Sequence, residues 1–321
     1  MSKRYILEVR KVEAGEKMEN RNMAVLAVLI VGVILIGAYT AGWFSGEKAE
    51  PPELTETPEP GEPTETPEPG ETGEIQTLTI QGSTTVLPIV QKAAEKYMDQ
   101  HPHVDIRISG GGSSVGVKSA GEQTTDIGMA SREIKDEEKS SYPDLRLITI
   151  AKDGIALIVH PSNSIEKLTI EHIKGIYNGT YTNWSQVGGD DAEIVVVGRD
   201  SASGTREFFW KNVMDKEDFV RIMLEKNSNG AVKQTIIQTP GAIGYVGLGY
   251  LDDSVKAVNI HVDGKDIEPT IENIQNGSYP ISRNLYLLII GEPTGLAKDF
   301  IDFILGEEGQ AIVAEEGFVP I

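Results

Sequence analysis

Residues 47–74 read EKAEPPELTETPEPGEPTETPEPGETGE, with no aromatic residue and one large aliphatic side chain, Leu54. A segment of this composition has nothing to bury and forms no core. It divides the 321-residue chain, so the fold must be built from Ile75 onward. TETPEPGEP and TETPEPGET follow back to back, and Glu recurs at every third residue from Glu47 to Glu74. A polyproline II helix turns once every three residues, so in that conformation the carboxylates line one edge and stiffen the segment by repulsion. At about 3.1 Å per residue it would reach roughly 90 Å. Residues 45–74 therefore read as an acidic stalk, with a directionless disordered tether as the alternative.

Upstream, no charge occurs between Arg21 and Glu47, and residues 23–44, MAVLAVLIVGVILIGAYTAGWF, are uniformly apolar. As a helix this run spans about 33 Å, enough to cross a bilayer. Lys3, Arg4, Arg10, Lys11, Lys17 and Arg21 precede it, whereas only Lys48 stands among the acids that follow. The positive-inside rule places residues 1–22 in the cytoplasm and the rest outside, held to the cell membrane by a single-pass anchor. The alternative is a cleaved signal peptide that starts at Met18.

Of the formal net charge of −20, residues 47–74 carry −9 and residues 1–46 carry +2, which leaves −13 on the part from Ile75 onward. Nucleic acid is excluded as a partner, because its phosphates are bound by clustered Lys and Arg. The sequence has no cysteine, so disulfides, thiolate metal sites, catalytic thiols and a lipidated cysteine are all absent. His101, His103, His160, His172 and His261 show no compact metal spacing. No metal or cofactor is expected.

From Gln76 the pattern alternates. QTLTIQ, VDIRIS, LRLITI, GIALIVHP and EIVVVG are strand-like, while VLPIVQKAAEKYM, TIEHIKGIYNG and GTREFFWKNVM carry helical spacing. Such alternation predicts α/β layers with largely parallel strands, and the length suits two lobes. Four segments place glycine and hydroxyl residues between a strand and a helix: QGSTT (81–85), SGGGSSVG (109–116), DIGMASRE (126–133) and RDSASGTRE (199–207). Helix N-termini offer free N–H groups and a favourable dipole to an anion, and glycine lets the backbone come close. Each segment alone is equally well read as a cap or turn.

Two enzymatic readings fail. Gly111 and Gly116 have P-loop separation, but Val117 displaces Lys118-Ser119 by one residue, which turns the lysine by about 100° on the helix. No histidine accompanies a G-x-S-x-G turn, and no catalytic base can be named for a serine triad. A binding protein is expected, with no catalytic residue.

The ordered set GSTTVLPI, SGGGSSVGVK, TDIGMASREI, NGTYTNWSQVGG, IVVVGRDSASGTREFF, TPGAIGYVGLGYL, GSYPISRNLYLLI and AKDFIDFILGEEGQAIVAEEGFVPI resembles the PstS family, the phosphate-binding components of ABC importers. The resemblance covers residues 78–321 and leaves out anchor and stalk. It implies a two-lobed periplasmic-binding-protein fold of type II that closes on one inorganic phosphate and presents it to membrane permease subunits. The implied lobes are 75–155 with 283–321, and 156–282, hinged near GIALIV and RNLYLL.

Position by position, the resemblance assigns the hydroxyl pair after the first strand to Thr84 and Thr85, with Ser83 beside them. The serine of the glycine-rich loop falls on Ser113, with Ser114 adjacent. The R-x-x-x-S-G-T element falls on Arg199, Ser203, Gly204 and Thr205. The enterobacterial branch has, at Ser131, an aspartate that accepts a proton from the bound anion; Arg132 adds a cation beside it. With Ser131 in place the acceptor is a hydroxyl, a backbone carbonyl, or an acid such as Asp200 or Asp126. Asp200 is expected rather to orient Arg199, because carboxylates pair well with planar forks. Tyr245 and Tyr250 read as packing. Sulfate, molybdate or tungstate remain alternative ligands.

Overall fold

The computed structural model describes residues 74–321. The expected anchor at residues 23–44 lies outside the described residues, as does the stalk except Glu74. Among the described residues no helix is long and apolar enough to cross a membrane.

The chain opens with β1 (Gln76–Gly82), α1 (Leu87–Gln100), β2 (Val104–Ser109), α2 (Ser113–Gly121), β3 (Ile127–Ala130) and a short α3 (Asp136–Ser141). β1 pairs in parallel with β2 and β3. Ile89, Val90, Ala93, Ala94 and Tyr97 form the buried stripe of α1, at the three-to-four-residue spacing that turns one face to a sheet. They join Leu78, Ile80, Ile127, Leu287 and Phe300 in one core. Each large apolar side chain buried there contributes about 1.5–3 kcal/mol.

β4 (Leu145–Val159) is one strand of 15 residues, where the sequence suggested two, LRLITI and GIALIVHP. The intervening AKDG makes no turn because the strand exchanges partners there. Residues up to Gly154 pair with β11 (Ser282–Ile290), and from Ile155 the same strand pairs with β8 (Ala242–Gly247). Gly154 serves packing: a Cβ on it would meet Ile274 Cγ1 at 3.1 Å and Tyr279 Cδ1 at 3.4 Å.

Between β4 and β11 lie β5 (Lys167–Leu168), α4 (Ile170–Tyr177), β6 (Val195–Arg199), α5 (Gly204–Asn212), β7 (Leu224–Lys226), α6 (Asn229–Gln238), β8, β9 (Lys256–Val262), β10 (Lys265–Ile267) and α7 (Ile271–Gln275). They enclose a second core around Leu157, Tyr177, Trp184, Phe209, Tyr245 and Val258. β11 then returns to β3 and β4, and α8 (Gly295–Leu305) and α9 (Glu307–Glu315) close the first core. The strands are less parallel than the alternation suggested. Half of the ten pairings are antiparallel: in four of them β4 and β11 run opposite to each other and to the neighbours they join, and the fifth is the β9–β10 hairpin.

Gly116 tests what sets the position of α2. Alanine is ordinarily better than glycine inside a helix by about 1 kcal/mol. Here a Cβ would overlap Met129 O and come within 3.0 Å of Gln81 O, and overpacking costs about 1–3 kcal/mol. Gly116→Ala is therefore expected to lower the urea midpoint, whereas a raised midpoint would mean that helix propensity outweighs the contact with β1 and β3.

Candidate functional site

β6 is buried from Val196 to Arg199, so the strand carries Arg199 into the interior. Its side chain is only 1% exposed. Its backbone N–H donates to the Tyr245 hydroxyl at 3.2 Å, and the Tyr245 ring stacks on Phe209 with centroids 4.3 Å apart. Arg199 Nε donates to Lys226 O at 3.2 Å; Nη2 donates to Asn227 O and to Thr84 Oγ1, each at 3.2 Å. All of these acceptors are neutral. Burial pushes the pKa of Arg199 down, opposed by Tyr245 and Asp200.

Thr84 and Thr85 lie in the turn between β1 and α1, and Thr205 in the first turn of α5. The Thr85 and Thr205 hydroxyls are 3.1 Å apart. Asn229 Nδ2 donates to Thr84 Oγ1 at 3.2 Å and to Thr85 Oγ1 at 3.0 Å, while its Oδ1 accepts from Gly247 N, which fixes the amide's orientation. Arg283 Nη2 donates to Thr205 Oγ1 at 2.9 Å and to Thr85 Oγ1 at 3.3 Å, and its Nη1 to Ser131 O at 3.0 Å. Thr84 and Thr85 thus each receive two donated bonds on a hydroxyl oxygen with two lone pairs. The remaining proton of Thr84 points outward as a donor. Thr85 donates its own to Thr205, which thereby accepts two bonds and turns its proton outward in turn.

Ser113, at the first position of α2, accepts from Ser131 N at 3.0 Å, and its hydroxyl lies 3.3 Å from that of Ser131. Gly204 presses on this pair; a Cβ on it would fall 2.9 Å from Ser131 Oγ. The loops before α2 and α5 also bond directly, with Ser114 N donating to Ala202 O at 3.1 Å. An ion pair of Lys135 and Glu207, 3.3 Å long, joins them farther out. Among the first-turn amides of α2 and α5, Ser114 N and Arg206 N are spent on Ala202 O and the Ser203 hydroxyl, while those of Ser113, Gly204 and Thr205 have no intrahelical acceptor.

The sequence-predicted residues divide. Thr84, Thr85, Ser113, Ser131, Arg199, Gly204 and Thr205 come together. Ser83, Ser114 and Ser203 are adjacent, but their oxygens serve local bonds: Ser83 accepts from Thr85 N, Ser114 from Arg132 Nη2 and Ser203 from Arg206 N. Arg132 turns its fork to Glu138, with bonds of 2.7 and 2.8 Å. Its charge is compensated there. Asp200 bonds Ala202 N at 3.2 Å and shapes the turn, so it acts on Arg199 only through its charge. Asp126 holds Thr79 N and Oγ1 at the exposed end of β3, away from the cluster.

Sequence reasoning missed Arg283, Asp153 and Asn229. All three are buried, at 7%, 0% and 0% exposure. Arg283 and Asp153 face each other across β11 and β4, bonded at 3.0 Å from Nε and 2.8 Å from Nη2. The one available signal was a charged residue inside an otherwise apolar strand, in AKDGIALIV and in SRNLYLLII. Arg283 and Arg132 also border a cavity of about 420 Å³ with Lys152, Phe208 and Tyr286.

A profile of the PBP superfamily domain matches residues 67–308. The phosphate-binding protein PstS of Bacillus subtilis is 37% identical over 249 residues, which covers 76% of this chain and 81% of that protein. The chain belongs to the PstS family. Its fold is correspondingly the two-lobed α/β fold of periplasmic binding proteins. A solved structure from Clostridium perfringens, assigned to phosphate ABC transport as a substrate-binding protein and holding bound phosphate, is 43% identical, covers 77% of this chain and all of its own, and superposes with a TM-score of 0.73. An ABC-type phosphate transport receptor from Vibrio cholerae is 34% identical over the same shares, with a TM-score of 0.63. PstS membership fits a site made of directed donors and no acid-base pair: the family consists of substrate-binding proteins, not enzymes.

The Arg132–Glu138 pair makes the loop after β3 testable. Burial pushes the Glu138 carboxyl up, but bonds from Arg132 and Lys135 N outweigh it and leave the pKa below its ordinary 4.5. The stability this pairing confers is therefore full above about pH 4.5 and is lost as pH falls through the lowered pKa. Glu138→Ala leaves an uncompensated buried cation and is expected to cost about 3–5 kcal/mol. Denaturation midpoints over a pH series check both effects: an unchanged midpoint near neutrality would mean that Arg132 finds another partner.

Proposed function

We propose that the cluster binds one inorganic phosphate and that the chain is the extracytoplasmic phosphate-binding component of an ABC importer. The observation that carries this reading is the meeting of Thr84 and Thr85 from one lobe with Arg199 and Thr205 from the other, all within hydrogen-bonding distance and shielded from solvent. A tetrahedral oxyanion offers acceptors in every direction. It is matched by outward hydroxyl protons, by the guanidinium groups of Arg199 and Arg283, and by the helix N-termini of α2 and α5.

Donors alone do not separate phosphate from sulfate, which near neutral pH only accepts. Phosphate keeps at least one proton and needs an acceptor. Among the described residues no carboxylate meets the cluster except Asp153, whose oxygens are occupied by Arg283 and Leu248 N. Ser131 Oγ receives no bond other than from Ser113. When Ser131 donates that bond, both its lone pairs are free, and Ser131 is our choice of acceptor.

The lobes in this reading are residues 75–155 with 283–321, and 156–282, divided where β4 exchanges partners, in a type II arrangement. Hinge movement at these two crossings opens and closes the cleft, and the closed form is what permease subunits recognise. Residues 23–44 anchor the chain in the membrane and residues 45–74 hold the binding lobes off its outer surface. Asp200 and Arg132 support the site without contacting the anion.

Calorimetric titration with phosphate, arsenate and sulfate tests the assignment. Phosphate should bind with heat release and without turnover. Arg199→Ala should weaken binding at least about 100-fold, or roughly 2.8 kcal/mol at about 1.4 kcal/mol per decade, while the circular dichroism spectrum stays that of the parent. Unchanged affinity would remove Arg199 from the site, and hydrolysis of a phosphate ester would restore an enzymatic reading.

A further inference from the structure

Two arginines face the cluster, and they differ in one respect. Arg199 bonds only neutral oxygens, whereas Arg283 is paired with Asp153, at 2% and 0% side-chain exposure. The carboxylate is held in turn by Leu248 N at 2.9 Å. Arg283 Nη2 bonds Asp153 Oδ2 at 2.8 Å and Thr205 Oγ1 at 2.9 Å, so the acid sits a single guanidinium away from the hydroxyls that meet the anion. We propose that Asp153 is a specificity-determining positioning residue: through Arg283 it holds the net formal charge of the cluster at one positive, and so disfavours dianions that bring no proton, such as sulfate. This rests on the phosphate-binding reading above.

The argument is electrostatic. Asp153 contributes its negative charge within the same water-excluded space as the ligand, where charges interact more strongly than in water. Its repulsion acts on two charges of sulfate and on one of dihydrogen phosphate, the monoanion that predominates at slightly acid pH. Its second effect is geometric. Both Nε and Nη2 of Arg283 are fixed on Oδ2, which aims Nη2 at Thr85 and Thr205 and occupies a lone pair on each, so that the Thr205 proton is left to point outward. Removing the carboxylate while keeping its shape changes charge more than position.

The test compares affinities for phosphate and sulfate at pH 6 by calorimetry, in the parent and in two variants. Asp153→Asn is expected to raise the sulfate affinity relative to phosphate at least tenfold. The double variant Asp153→Asn with Arg283→Gln removes both charges, keeps the net charge of the cluster, and is expected to weaken both anions at least tenfold with their ratio within about threefold of the parent. A purely structural pair predicts equal losses for both anions in Asp153→Asn, and that result overturns the proposal. If Asp153→Asn does not fold, a tenfold change of ratio in the double variant overturns it instead. A parent that binds phosphate with unmoved ratios in Asp153→Asn sinks this inference alone; a parent that binds neither anion sinks the phosphate reading and this inference with it.

Discussion

A guanidinium shut away from water must be satisfied by its surroundings, and in Arg199 this is done without a counter-charge. Two backbone carbonyls at the end of β7 and one threonine hydroxyl take its protons, while Tyr245 fixes its backbone from behind. Burying a cation in this way is unfavourable, as its lowered pKa expresses. The arrangement stands because β6 is locked between β7 and β8 and because the aromatic stack of Phe209 and Tyr245 supports the strand end. A cation held like this is a standing demand for an anion, and β7, β8 and the Tyr245 ring keep it in place.

The other two buried arginines show the contrast. Arg132 has Glu138 and Arg283 has Asp153, and each pair lies where a loop or strand must be aimed. Arg132 joins the start of α2 to the loop after β3, through Ser114 and Glu133 O. Arg283 joins the two crossing strands and touches hydroxyls from both lobes. Buried ion pairs contribute little net stability compared with well-packed apolar residues. What they offer here is direction, because a planar fork fixes where its remaining donors point.

Much of this was legible in the sequence. Alternating runs gave the α/β class, and the glycine and hydroxyl loops marked four segments, because helix starts and tight turns leave local marks; it was the family resemblance that assigned Thr84, Thr85, Ser113, Ser131, Arg199 and Thr205 within them. Other features left none. The continuity of β4 was hidden because AKDG has turn-forming composition, and only β11 and β8 hold it extended. Arg283 and Asp153 are 130 residues apart, so their pairing is a fact of topology that no local pattern encodes. Asn229 follows the serine that caps α6, a position where an asparagine carries no mark of a binding role. Arg132 and Asp200 were legible as charges near the site, but their partners, Glu138 and the Ala202 amide, were chosen by packing.

The acidity of the folded part, −13 from Ile75 onward, does not conflict with anion binding. Most of its carboxylates are exposed, and at physiological salt their fields decay over about 8 Å. The cluster is different in kind. Its donors lie within about 3.3 Å of one another and inside a closed interface where no salt intervenes. In the proposed site a short-range, directed field therefore governs the anion once it is enclosed. The acidic exterior governs only the approach, and it slows anions without regard to shape. Selectivity must then arise after entry, from which hydroxyls donate, which one accepts, and how much of each guanidinium charge is already compensated.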